Sequence, residues 1–299
     1  DPKNFGHDFL GDRAQVLILA HNVYNKLKNH VKSIDVIADN DGLISIGNAK
    51  EFYLLMEEAK GKDYFNDLNK ILEKGADEND KNKIKILARY LAEIHKEKFN
   101  VNSEIDLERR KILYRRRIRD LIGHGECIMG IIDTYPESNF LGINLTEIAE
   151  KSVKFWGKIK DFDHRLCVVH GDFHPGNIWF QDNENFILLD RSRGEYGDPA
   201  DDVSCFASNL IHYSIRKYGK LQNEFEDLLK TFFDEYLKLT KDEEIFKVIQ
   251  PFFTFRAIVI ANPLFYKDKD DVKIKLLKFA RNVLEYDEFY IEKINEMLK

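Results

Sequence analysis

The chain has 299 residues, of which 43% are hydrophobic and 33% are charged, a composition typical of a globular protein whose length favours two lobes. A net charge of −6 argues against general nucleic-acid binding, and no apolar run approaches the roughly 20 residues of a membrane span. Three scattered cysteines suggest neither zinc nor a disulfide framework, and no signal peptide is visible, so we expect a cytoplasmic protein without membrane contact.

The first sixty residues predict a small lobe with strands. Apolar residues recur at helical spacing over residues 12–27, and Asp12 is positioned to cap this helix. Short alternating runs then predict strands over residues 33–39, 43–47 and 51–57, separated by glycine-containing turns.

The next hundred residues are predicted to be helical over 64–73, from Asn79 or Asp80 through 98, over 104–121 and over 144–160. Residues 124–136 mix polar and apolar groups irregularly, so we expect a loop there.

The helix over 104–121 carries a run of basic residues: Arg109, Arg110, Lys111, Arg115, Arg116, Arg117 and Arg119. One interpretation is an anion site or an RNA contact. The other, which we favour, is a solvated face paired with acidic residues.

The most informative stretch reads LCVVHGDFHPGNIWFQDNENFILLDRSRGEYGDP, over residues 166–199. Three short apolar runs predict strands over 166–170, 177–180 and 185–190, and a polar residue stands at the end or start of each: Asp172, Asn177 and Asp190. Phosphoryl transfer uses this set, with one carboxylate orienting the acceptor hydroxyl while an amide oxygen and a second carboxylate hold Mg²⁺ on the phosphates. A turn with capping Asp and Asn residues explains each residue singly, but not all three at this spacing.

His170, Asp172 and Asn177 follow the H-x-D-x-x-x-x-N pattern of a kinase catalytic loop, and Asp190 follows one hairpin later. HGDFHPGN, followed by Gly197-Asp198-Pro199, resembles the aminoglycoside phosphotransferase and choline kinase family. The resemblance implies an α+β protein-kinase-like fold with a partial β-rich small lobe and a mainly helical large lobe. It also implies an enzyme that uses ATP and Mg²⁺ to phosphorylate a hydroxyl of a small molecule, such as a sugar, an amino alcohol or an aminocyclitol.

The resemblance assigns roles to individual residues. Asp172 is the expected base or orienting carboxylate, and Asn177 and Asp190 are the expected Mg²⁺ ligands. His170 and Asp198 are expected to brace the loop from behind. For Asp202, a role as a first-turn acid favoured by the helix dipole and a functional role are equally supported.

The segment over 54–61 resembles the hinge between the lobes. There, the Glu57 carbonyl and the Ala59 amide are expected to bind the adenine edge of ATP through the main chain. The sequence LAEIH at 91–95 resembles the helix that packs beneath the catalytic loop, and we interpret His95 as a core or hydrogen-bonding residue. The expected division is a small lobe over 1–60, apparently incomplete, and a large lobe over 61–299 with its catalytic core at 166–202.

Two departures from the family leave alternatives open. Few residues precede the first helix, Lys3 is the only lysine among them, and that helix contains no glutamate, although Asp8 or Asp12 could substitute. The strands with the phosphate loop and the ATP-clamping lysine either lie upstream of Asp1 or are absent. If they are absent, we expect a catalytically impaired nucleotide-binding protein. A kinase of a protein or RNA is a further alternative.

The second departure follows the expected metal ligand, where Arg191 and Arg193 flank a serine. These arginines either clamp phosphate or a charged substrate, or pair with Glu195, Asp201 or Asp202.

The remaining chain is predicted to be helical over 202–214, 222–240, 243–260, 272–286 and 289–298. Arg256 lies in the most apolar segment, FFTFRAIVIANP, so it must have a polar partner or face the pocket. His124, Glu126 and Asp133 are weaker candidates for contacting the acceptor.

Overall fold

A computed structural model describes residue 7 and residues 9–39, 50–191 and 193–299. The predicted strand over 43–47 and its turns, together with Lys3 and Asp8, lie outside the described residues. Among the described helices, none is long and apolar enough to cross a membrane.

The small lobe packs one helix on a two-stranded antiparallel sheet. Helix α1 (Leu10–Tyr24) lies against β1 (Ser33–Asp39) and β2 (Glu51–Met56). The register pairs Val36 with Leu54. Asp12 is not the N-cap of α1, which begins two residues earlier; its carboxylate accepts a hydrogen bond from the Phe9 amide and so still protects the first turn.

Short strands lie between the small lobe and the helices of the large lobe. Strand β3 (Lys62–Asp63) pairs with β7 (Ile178–Phe180), which pairs with β8 (Phe186–Leu188), all antiparallel. Strand β6 (Cys167–Val168) pairs with β9 (Tyr196–Gly197).

The large lobe is mainly helical. Its helices are α2 (Phe65–Lys74), α3 (Glu78–Ile94), α4 (Glu104–Gly123), α5 (Ile128–Asp133), α6 (Leu145–Ile159), α7 (Pro199–Tyr218), α8 (Asn223–Thr240), α9 (Ile245–Val248), α10 (Gln250–Ala261), α11 (Asp270–Asn282) and α12 (Ile294–Met297). A short hairpin, β4 (Asn139–Phe140) and β5 (Ile143–Asn144), precedes α6. Buried aromatic and aliphatic residues of α3, α7, α8, α10 and α11 form one continuous core.

Further predictions of local structure were wrong. Residues 124–136 are not all loop, because Ile128 and Ile131 face the core and close the short helix α5. The predicted helix over 243–260 is divided into α9 and α10, since Pro251 supplies no N–H and sits in the first turn of α10. The N-cap of α3 is Asp77, whose carboxylate accepts a hydrogen bond from the Asp80 amide at 3.0 Å.

Candidate active site

The loop between β6 and β7 carries the kinase-like motif. Gly171 adopts a φ of +88°, a conformation in which a side chain would be strained, and an added Cβ would lie 3.3 Å from the Cβ of Arg193. His174 caps the following 3₁₀ turn, Pro175–Asn177, by accepting a hydrogen bond from the Gly176 amide. The loop therefore turns sharply between the two strands and presents the side chains of Asp172 and Asn177 at one edge.

Asp172 and Asn177 are in direct contact. The Asn177 amide nitrogen donates to the Asp172 carbonyl at 3.0 Å and to its carboxylate Oδ2 at 3.3 Å. The Asn177 amide oxygen has no hydrogen-bond partner among the residues that the structure describes. The amide nitrogen of Asn177 is thus engaged by Asp172, whereas the amide oxygen of Asn177 is available as a hard acceptor at the site.

The hairpin β7–β8 brings Asp190 to the same edge. The Leu189 amide donates to the Asn177 carbonyl at 3.0 Å, so Asp190 follows a residue that is paired with Asn177. Asp190 is exposed and adopts a φ of +55°, an unusual conformation for a residue other than glycine. The left-handed turn ends the strand and changes the chain direction at this carboxylate.

His170 links the two halves of the site. Its Nε2 donates to the Leu189 carbonyl at 2.9 Å, and its Nδ1 accepts from the Asp172 amide at 3.2 Å. These two bonds require the neutral imidazole, and burial lowers the pKa of His170 to about 4. The His170 ring thus joins the Asp172 amide to the Leu189 carbonyl, and its loop-holding role stays a prediction.

A buried arginine contacts the candidate base directly. Arg256 of α10 donates through Nη1 to Asp172 Oδ1 at 2.6 Å and through Nη2 to Asp201 Oδ1 at 2.7 Å. Burial alone would raise the pKa of Asp172, but its electrostatic interactions with His174 and with the guanidinium groups of Arg256 and Arg193 outweigh burial and hold that pKa well below its usual range. The expectation that Arg256 needs a polar partner is confirmed, and its partner is the central carboxylate of the site.

The loop is braced by Asp202 rather than by Asp198. Asp202 accepts hydrogen bonds from the backbone amides of His170 at 2.8 Å and Gly171 at 2.7 Å, and it accepts from His95 Nε2 at 3.1 Å. His95 is thus a buried hydrogen-bonding residue beneath the loop, as predicted.

Asp198 makes different contacts from those expected. It caps α7 by accepting from the Ala200 amide, and it pairs with Arg165 and the Tyr114 hydroxyl. Asp198 precedes Asp202 by four residues, which is about one helical turn. Spacing along α7 therefore indicates both aspartates as candidates for bracing the loop, but not which of them faces it.

Arg191 and Arg193 have different environments. Arg191 is fully buried and donates to three backbone carbonyls, those of Val169, Val23 and Glu195. It therefore ties α1 to the segments around the loop, and its hydrogen bonds to described residues go to main-chain carbonyls instead of carboxylates. Arg193 lies with its guanidinium 5.0 Å from the centre of the Phe255 ring and lines the cavities beside the loop.

The predicted hinge connects β2 to β3. The Glu57 amide donates to the Lys32 carbonyl, whereas the Glu57 carbonyl and the Ala59 amide take no part in the backbone hydrogen bonds that join described segments. Ala59, Leu54, Ile187 and Leu189 pack against the same small apolar cluster, which contains Val23. The hinge thus places two unused main-chain groups next to an apolar surface.

A cavity of about 740 Å³ opens beside Asp172. Its walls come from α5, α7, α10 and the segment after α10, and Glu126 contributes to it. Glu126 and His124 also line a second cavity of about 460 Å³ between α1 and α4, whereas Asp133 lines neither.

The basic face of α4 is paired with acidic residues. Arg110 contacts Asp163 at 2.7 Å and Arg115 contacts Asp161 at 2.6 Å. Arg116 contacts Asp120 at 3.4 Å within the helix. These pairs support the interpretation of α4 as a solvated, charge-balanced face.

Comparisons with known proteins identify the fold. No curated sequence matches the chain. Among solved structures, the amicoumacin kinase hAmiN, in complex with AMP-PNP, Ca²⁺ and Ami, aligns with a TM-score of 0.58 at 16% identity, covering 94% of this chain and 80% of that one. The aminoglycoside phosphotransferase APH(3'')-Id from Streptomyces rimosus, in complex with ADP and streptomycin, aligns with a TM-score of 0.50 at 13% identity, covering 84% and 85%.

These similarities confirm the predicted protein-kinase-like α+β fold. Residues 11–217 match the family described as the phosphotransferase enzyme family, a span that includes the hinge, the catalytic loop and most of α7. The chain belongs to this phosphotransferase enzyme family.

Proposed function

We propose that this protein transfers a phosphoryl group from ATP to a hydroxyl of a small molecule in a Mg²⁺-dependent reaction. The observation that carries the proposal is the contact of Asn177 with Asp172, together with the backbone pairing of Leu189 with Asn177, which Asp190 directly follows in the chain. The two similar structures contain AMP-PNP with Ca²⁺ and ADP, respectively, which supports a nucleotide and a divalent cation here.

The oxygen donors at this edge fit Mg²⁺. Among the described residues, no group of three or more His, Cys, Asp or Glu could hold a metal ion. Mg²⁺ does not need such a group, because it typically takes one or two protein oxygens together with phosphate oxygens and water. The amide oxygen of Asn177 and the carboxylate of Asp190 would hold the ion, which would neutralise charge on the phosphates.

Asp172 is proposed to orient the acceptor hydroxyl and to accept its proton. Because its pKa is held low, it is ionised at neutral pH but only weakly basic. Its contribution is therefore mainly to position the hydroxyl, with the proton arriving late, as the loose transition state of phosphoryl transfer allows.

The hinge is proposed to bind the adenine edge. The Glu57 carbonyl would accept a hydrogen bond and the Ala59 amide would donate one. The apolar residues Leu54, Ile187 and Leu189 beside them suit a flat aromatic ring.

The first experiment measures thermal unfolding with ATP, with and without Mg²⁺, and ADP release with a panel of small alcohols. A ligand at about 100 times its Kd stabilises by roughly 2.7 kcal/mol, which raises Tm by several degrees. We expect this stabilisation in the wild type, loss of its Mg²⁺-dependent part in Asp190→Asn, and a loss of kcat of about 10²–10⁴-fold in Asp172→Asn.

Asp227→Asn is the matched control, because it makes the same change at an exposed position on α8. Absence of any nucleotide-induced shift in Tm would contradict the proposal. Nucleotide binding by the wild type without turnover of any alcohol would favour the non-catalytic nucleotide-binding alternative.

A further inference from the structure

The cavity beside Asp172 is lined by both apolar and charged side chains. Its apolar side chains are those of Phe65, Ile131, Phe255, Val259, Ile260 and Leu264. Its charged groups are Asp172, Glu126, Arg193 and Arg256, together with the histidines His7 and His174. The way these charged groups pair with one another indicates which class of ligand the cavity binds.

The acidic groups of the cavity are already engaged. Arg256 is held between Asp172 and Asp201 by bonds of 2.6 and 2.7 Å. Glu126 accepts a hydrogen bond from His7. Among the described residues that line the cavity, each carboxylate therefore already has a positively charged or hydrogen-bonding partner, whereas a positively charged acceptor would require an unpaired one.

Arg193 is different, because it makes no hydrogen bond to another described residue. Its guanidinium rests on the Phe255 ring, which supports the planar group without using any of its five N–H donors. Burial alone would lower the pKa of Arg193, but the interaction with the nearby Asp172 outweighs burial and raises that pKa above its ordinary value. The guanidinium therefore stays cationic.

Arg256 adds no donor that a ligand could reach. Both of its terminal nitrogens are bound, and its Nε, which has no hydrogen-bond partner among the described residues, is buried. The cavity thus combines an ionised base with the guanidinium of Arg193 and a set of apolar side chains. A ligand that satisfies the donors of Arg193 must offer several acceptor oxygens.

We infer that the acceptor alcohol carries an anionic group, a carboxylate or a phosphate monoester, that binds the guanidinium of Arg193 while its hydroxyl lies at Asp172. The inference rests on the proposed function and narrows it, since it disfavours amino alcohols and aminocyclitols as acceptors. The carbon skeleton of the acceptor packs against apolar side chains of the cavity, among them Val259 and Leu264.

The test compares alcohols of one carbon skeleton that carry a carboxylate, a phosphate monoester, a carboxamide or a primary amine. With ATP and Mg²⁺, kcat/KM of the wild type should be at least about 10-fold higher for an anionic member than for the carboxamide, as one charge-assisted bond provides. The amine should be the poorest acceptor. The relative kcat/KM values for the carboxylate and the phosphate monoester identify which anionic group the site binds.

Arg193→Gln should reduce the ratio of the anionic acceptor to the carboxamide to about one, mainly by raising KM for the anionic acceptor. Arg193→Lys, which keeps the charge, should restore part of the preference. Because each ratio compares two acceptors on one enzyme, a general loss of activity or stability cancels. Arg109→Gln, which removes an exposed arginine of α4, should keep the wild-type ratio.

An amine acceptor that is preferred over the anionic ones would overturn the inference while leaving the proposed function intact. An Arg193→Gln variant that lowers kcat equally for all acceptors would also overturn it, because Arg193 would then act on the transferred phosphoryl group. Failure to bind nucleotide and to phosphorylate any member of the set would instead contradict the proposed function, and the inference with it.

Discussion

The catalytic loop and the two-stranded sheet of the small lobe differ in how their side chains are buried. Beneath the loop, the Asp202 carboxylate is fully buried and accepts from the amides of His170 and Gly171 and from His95. On β1 and β2, by contrast, Ile37 and Tyr53 are 47% and 54% exposed.

The comparison indicates in which region a substitution lowers the stability of the protein more. The loop that carries Asp172 is fixed by satisfied buried polar groups, so the positions of its side chains are set by many contacts at once. The described part of the small lobe has a small apolar cluster of Ala20, Val23, Tyr24 and Val31. We therefore expect equal chemical changes to cost far more under the loop than on the small sheet.

The largest effect should come from the carboxylate beneath the loop. Asp202→Asn removes the charge that binds two backbone amides and His95, so the free energy of unfolding should fall by about 3–5 kcal/mol, as when a buried pair loses one partner. Chemical denaturation measures this change.

Glu51→Gln is the matched change in the small lobe. Glu51 pairs with Arg13 at 3.0 Å near the surface, and its neutralisation should cost about 1 kcal/mol or less. Equal losses in the two variants would remove the distinction between the regions.

The second effect is a pH dependence that originates beneath the loop. The pKa of His170 is lowered by burial from 6.5 to about 4, so the unfolded chain binds a proton between these values while the native protein does not. Stability should therefore fall as pH decreases from 6.5 to 4, by up to about 3 kcal/mol from this group.

His170→Gln should remove this part of the pH dependence. Comparing unfolding free energies of wild type and variant at pH 7 and pH 4.5 isolates the contribution, since other titrating groups are common to both. Carboxylates with lowered pKa values, such as Asp198, act mainly below about pH 4. His30 and His212, whose pKa values burial also lowers, contribute to the same window in both proteins, so only the difference between the two curves is assigned to His170. Parallel curves for the two proteins would refute the assignment of a neutral, buried His170.

The smallest expected effect on stability should distinguish the sheet that contains β7 from the sheet formed by β1 and β2. Ile178 in β7 is fully buried, and Ile178→Val should destabilise by about 0.5–1.5 kcal/mol because it deletes a packed methylene. The same substitution at the exposed Ile37 of β1 should change stability by less than about 0.5 kcal/mol. Denaturant midpoints of the two variants measure the difference, and an equal or larger loss at Ile37 would show that this face is covered in solution.

Much of the site follows from local sequence. Asp172 and Asn177 lie in one eight-residue motif, so short-range geometry alone brings these two side chains into contact, and Asp190 directly follows the residue of the adjoining hairpin that pairs with Asn177. The same is true of His170, whose two ring bonds reach only Asp172 and Leu189.

Other features were not predictable at this level. The composition of residues 124–136 gives no clear period, and only packing of Ile128 and Ile131 produces α5. Two acids one helical turn apart, Asp198 and Asp202, have similar local patterns, and the docking angle of α7 determines which one binds the loop.

The sequence by itself determined the family, the catalytic hairpin and the three polar residues at its edge, because a continuous motif encodes its own turns and spacing. Only the tertiary structure decided that Arg256, 84 residues after Asp172, pairs with that carboxylate, and that Arg193 instead of Arg191 faces the cavity. Contacts between distant segments depend on how helices dock around a shared core, and no local pattern in the chain records that docking.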